Sequence, residues 1–129
     1  MYVRPNLADV RLADVVVIGR ISNYRIVRNE PGLVSGHARF DVQVDEVLVG
    51  RASGRLSVTW YNSTFAVPDQ MPAGTYLIAL RRPGSTIMPS PDPNALTPLQ
   101  APCSSAFILE IGSEEAGIVR WFLDSRPRQ

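Results

Sequence analysis

The chain has 129 residues, 45% of them hydrophobic and 19% charged, with 13 basic residues against 12 acidic ones and a net charge of +1. That size and composition suit one folded domain and argue against disorder, and no apolar run approaches the roughly 18 to 20 residues that span a bilayer. The near-neutral balance removes the electrostatic argument for a dedicated nucleic-acid or polybasic membrane binder.

Pro5 is placed to start a helix, and Leu7, Ala8, Val10, Leu12 and Ala13 follow it, so residues 5–12 read as a short N-terminal helix. The β-branched run Val15 to Ile18, continued by Ile21, Tyr24, Ile26 and Val27, predicts a long first strand over 14–28, bent near Gly19. Asn29-Glu-Pro-Gly32 is turn chemistry. Phe40, Val42 and Val44 alternate with Arg39, Asp41, Gln43 and Asp45, the period of a half-buried strand over 38–49. The apolar series resumes at Val47 and Val49, one residue out of step, which predicts a bulge at Asp45-Glu46. Leu56, Val58 and Trp60 alternate in a third strand, and Phe40, Val42, Val44, Leu56, Val58 and Trp60 are expected to share one buried inner face.

Residues 62–74 read as irregular. Tyr76-Leu-Ile-Ala-Leu80 is apolar on both faces and predicts a central fourth strand. Six prolines between Pro83 and Pro102 argue that this stretch has no regular structure and is a long loop of the functional or mobile kind. Phe107–Ile111 and Ile118–Leu123 flank Gly112 to Gly117 and read as a closing hairpin. Five to six short strands, one short N-terminal helix and Gly/Pro-rich turns predict a single all-β domain. The expected architecture is a small antiparallel OB-fold-like barrel, because closure removes exposed strand edges.

Several residues carry a resemblance in this order. They are Ala13-Asp-Val-Val-Val-Ile-Gly-Arg-Ile21, Phe40-Asp-Val-Gln-Val-Asp-Glu-Val-Leu-Val-Gly50, Pro72-Ala-Gly-Thr-Tyr-Leu-Ile-Ala-Leu80 and Pro102-Cys-Ser-Ser105. Together, over about residues 8–111, the sequence resembles the netrin-like, or tissue-inhibitor-of-metalloproteinase-like, OB-fold domains and their bacterial relatives. The resemblance implies a non-enzymatic protein-interaction module in a secreted or envelope location. It also implies that Cys103 stands where related domains place a disulfide cysteine. Metalloproteinase inhibition does not carry over, since it uses an N-terminal cysteine that this chain lacks. The first fifteen residues hold Arg4, Asp9, Arg11 and Asp14 and contain no signal-peptide core, so either the protein is cytoplasmic or a leader has been removed. All basic residues are arginines, which fits a GC-rich bacterial genome.

The residue inventory narrows the chemistry. Without lysine, P-loop and Schiff-base chemistry are excluded. One histidine, His37, and one cysteine, Cys103, are too few for zinc fingers, H-E-x-x-H hydrolases or an intrachain disulfide. No cofactor and no metal site is expected. His37 could serve a small hydrolase only with a nucleophile and an orienting carboxylate beside it, and a solvated loop histidine is the better reading. Asp41 and Asp45 fall about 13 Å apart along one strand, too far to chelate one ion, and with Glu46 read as a solvated face.

Trp60, Tyr61 and Phe65 could stack bases beside Arg51, Arg55, Arg81 and Arg82, as OB-folds do. An oligonucleotide-binding protein is therefore the alternative function, although Trp60 has the parity of a core residue. Asn62-Ser-Thr64 matches the glycosylation sequon. Cys103 reads equally as a small buried hydrophobe and as an interchain disulfide partner. The segment 83–102 reads equally as a passive surface loop and as the place to meet a partner, because extended proline-rich chain loses little entropy on binding.

Overall fold

A computed structural model describes residues 6–27, 37–61, 70–82, 96–99 and 106–124. Phe65, Cys103, the sequon, most of the segment 83–102, and the side chains of His37 and Tyr61 lie outside the described part. A 3-10 helix at Leu7–Leu12 opens the described chain. The strands are β1 (Val15–Val27), β2 (His37–Val49), β3 (Arg55–Tyr61), β4 (Thr75–Arg81), β5 (Thr97–Pro98) and β6 (Ile108–Glu110). Helix α1 covers Glu114–Asp124.

The strands form one curled antiparallel sheet in the order β3-β2-β1-β4-β5, with β6 also pairing β4. Its two ends meet. Val58 of β3 forms a parallel bridge to Leu96, held by Thr59 N–H to the Leu96 carbonyl at 2.9 Å and Leu96 N–H to the Ser57 carbonyl at 3.1 Å. The result is the small all-β barrel-like fold expected from the strand count. The expectation that 83–102 lacks regular structure is corrected at Leu96–Pro98. Pro98 is tolerated there because the strand is only two residues long and lies at the seam.

Two apolar clusters lie on the two faces of the sheet. Inside the curl are Val15, Val17, Phe40, Val42, Val58, Tyr76, Ile78 and Leu80, with Val44, Leu56 and Trp60 partly buried against them. The six residues assigned to one inner face are thus together, with Phe40, Val42 and Val58 buried and Val44, Leu56 and Trp60 only partly so. Outside the curl, Leu7 and Val10 of the 3-10 helix and Ala116, Val119 and Leu123 of α1 pack on Val16, Ile18, Leu77 and Ala79. β4 is covered on both faces, with Tyr76 to Leu80 all buried, as a central strand requires.

The final hairpin is corrected. Residues 118–123 belong to α1, and the sixth strand is instead the two-residue β5. Val119, Trp121 and Leu123 satisfy a period of two, but Ala116, Val119 and Leu123 satisfy the helical spacing that buries them. Ser113 caps the helix: its hydroxyl accepts from Ala116 N–H at 3.2 Å and donates to the Glu110 carbonyl at 2.6 Å. Glu114 and Glu115 then lie in the first turn, where the helix dipole favours them.

The bulge in β2 is where the pattern placed it. Gly19 faces Val44 while Ile18 faces Glu46, leaving Asp45 extra. A second slip follows, and its outcome differs from expectation. Val47 is exposed, while Leu48 and Val49 pack against the outer cluster. A third slip lies in β1, between Ser22 and Arg25, at Asn23 with φ of 56°. Asparagine tolerates that left-handed conformation, and its amide donates to Asp41 Oδ2 at 2.8 Å.

Candidate functional site

The Asn23 bulge has a consequence for the aromatic residues. It moves the inward parity of β1 from Ile21 to Tyr24, three positions on. The Tyr24 ring then stacks on Phe40 with centroids 5.9 Å apart, and Phe40 meets Trp60 edge-to-face at 6.5 Å. Three strands therefore contribute one ring each to one end of the barrel interior. Phe40 is buried and its two neighbours are half-buried. Trp60 is a packing residue, partly buried against the inner cluster.

The arginines expected beside Trp60 are spread out. Arg51 precedes β3 and Arg55 begins it, about 17 Å along the strand from Trp60. Arg81 and Arg82 are at the end of β4, and the Arg82 N–H donates to Asp14 Oδ2 at 2.8 Å. His37 faces Val27 on one side and Tyr61 on the other through the backbone ladder.

The carboxylates of β2 have partners of their own. Arg20 forks onto Asp45, Nη2 to Oδ1 at 3.1 Å and Nε to Oδ2 at 3.3 Å. Asp41 accepts from Asn23, and Glu46 pairs with Arg120 of α1 at 3.5 Å. Both ion pairs are exposed, and such pairs contribute up to about 1 kcal/mol. Among the described residues, no three His, Cys, Asp or Glu side chains are grouped to hold a metal ion. No helix among them is long and apolar enough to cross a membrane.

One surface residue stands apart. Trp121 is 64% exposed on α1, edge-to-face with Phe122 at 5.5 Å. It belongs to the face of α1 opposite Ala116, Val119 and Leu123, in line with exposed Glu114, Gly117 and Asp124. The helix carrying it packs its apolar face on the outer cluster, and Arg120, next to Trp121, pairs with Glu46. Reading 118–123 as a strand hides this residue. The Ser113 cap followed by two glutamates and the 116/119/123 spacing was the signal that could have found it.

No protein-family model matches the chain, and no curated protein matches it either.

Proposed function

We propose that the protein is a non-enzymatic interaction module that works outside the cytoplasm and binds another protein, with Trp121 as its anchor. The exposure of Trp121 on a helix packed against the sheet carries the reading. A tryptophan in water forgoes a large burial energy, and tryptophans are enriched among residues that dominate protein interfaces. The segment 83–102 supplies the second contact in this reading. The netrin-like kinship and the location rest on the motifs quoted above.

A photo-crosslinking side chain at position 121, expressed in the native host, tests the anchor. One dominant protein adduct is expected. The purified partner should then bind the wild type and lose binding to Trp121→Ser, with the circular dichroism unchanged. Adducts identical to those from a probe at Arg55 would overturn the reading. So would submicromolar affinity for labelled single strands at ~150 mM salt, where surface charges are screened within about 8 Å and weak phosphate contacts are lost. Mass spectrometry of native-source protein under non-reducing conditions tests the location. Cys103 in a disulfide with a cysteine outside the present chain is expected, and a free thiol counts against export.

A further inference from the structure

The seam that closes the barrel also carries an unusual row of polar groups. Val58 and Leu96 form the parallel bridge, so Thr59 and Thr97 are the next residues along two neighbouring strands that run the same way. In the antiparallel pair beyond, Thr97 faces Arg81. Directly paired residues share a face of the sheet. Val58, Leu96 and Leu80 point into the barrel, so Thr59, Thr97 and Arg81 form one row on the outer face. Two residues further along that face, Leu99 and Ala79 belong to the outer apolar cluster.

All three members of the row have a buried polar atom without a hydrogen-bond partner: Thr59 Oγ1, Thr97 Oγ1 and Arg81 Nε. Thr59 is 0% exposed and Thr97 5%. Buried polar groups are nearly always paired, so three orphans side by side on three adjacent strands call for a common partner. Two hydroxyls can donate and the guanidinium can only donate. What such a row offers is a set of donors for an oxygen.

We propose that Thr59, Thr97 and Arg81 form a carboxylate-binding site. The guanidinium matches a carboxylate in geometry and charge, and the hydroxyls satisfy the remaining lone pairs. The site favours a monoanion. The row carries two cationic side chains, Arg81 and, paired with Thr59 across β2, Arg39, and the register Val15 to Leu80 sets Asp14 next to Arg81, where its carboxylate already accepts from Arg82 N–H, so the row's net charge is +1. One carboxylate neutralises that charge, whereas a dianionic phosphate would exceed it and meet the negative charge of Asp14. The inference does not depend on Trp121, which is on a different element.

Backbone amide NMR with sodium acetate tests it, with sodium chloride and inorganic phosphate as matched-ionic-strength controls. Acetate should shift the amides of Thr59, Arg81 and Thr97 saturably. Arg81→Met should abolish the saturable shift. Thr59→Val and Thr97→Val should each weaken it about tenfold, the loss of one hydrogen bond, and Thr59→Ser should retain it. Should Arg81→Met fail to fold, Arg81→Lys keeps the charge without the fork and should bind about tenfold more weakly. The proposal is overturned by equal shifts from chloride (an adventitious ion only), by tighter binding of phosphate than acetate, or by valine or lysine variants that bind acetate like the wild type.

Discussion

Gly19 of β1 faces Val44 of β2 so closely that a Cβ at position 19 would overlap the backbone carbonyl of Gln43 and stand 2.8 Å from Val42 Cγ1. The bulge at Asp45 begins at this pair. The obstructing atom is backbone, so no side-chain rotation relieves the overlap. Gly19→Ala should destabilise by about 1–3 kcal/mol, the range for overpacked sites. Urea denaturation of the variant checks this; an unchanged midpoint would mean that the strands can separate there freely.

Gly117 gives the opposite expectation. It lies inside α1 on the exposed face, and a Cβ there meets nothing within 4 Å. Glycine in a helix costs roughly 0.5–1 kcal/mol relative to alanine. Gly117→Ala should therefore raise stability by about that amount in the same denaturation experiment. A loss would show that the helix needs the flexibility of glycine at this position.

How far these features were legible depends on the range of the signal. β2, β3 and the Asp45 bulge follow from alternation within one segment, and β1 and β4 from β-branched or apolar runs, local patterns that survive folding unchanged. β5 does not. Thr97–Pro98 is a strand only because β4 pairs with it and β3 bridges the adjoining Leu96, and no local pattern in a proline-rich run announces that. α1 was ambiguous for another reason: Val119 and Leu123 fit both periods, and the Ser113 cap had to decide. The same ambiguity hid Trp121, the anchor of the proposed interface. The Thr59–Thr97–Arg81 row depends on the parallel register at the seam and was legible only from the topology.

Phe40 and Trp60 should differ in energetic weight although they touch. Phe40 is fully buried between Tyr24 and Trp60, so Phe40→Ala should cost about 3–5 kcal/mol. Trp60 is only partly buried, so Trp60→Ala should cost about 2 kcal/mol. The double variant should cost less than the sum, because the two rings are in contact. Additive values would mean that the edge-to-face pair contributes nothing to the fold.

Tyr76 makes stability depend on alkaline pH. Its phenol pKa is raised above the ordinary 10.0, first by burial and second by the negative charge of Glu110, its neighbour across β4 and β6. The hydroxyl also donates to the Pro72 carbonyl at 2.6 Å, a bond that only the protonated form can make. The native state therefore keeps this proton over a range where the unfolded chain has released it. The resulting stabilisation is fully present below pH 10.0 and is lost as the pH rises through the raised value. Urea midpoints measured across that alkaline range should fall with pH. Tyr76→Phe should lose about 1 kcal/mol at neutral pH from the missing hydrogen bond and should show a shallower alkaline decline. An ultraviolet titration of the native protein should find one of its four tyrosines ionising after the phenol of a model peptide. An equally steep decline in the phenylalanine variant would assign the pH dependence to other groups.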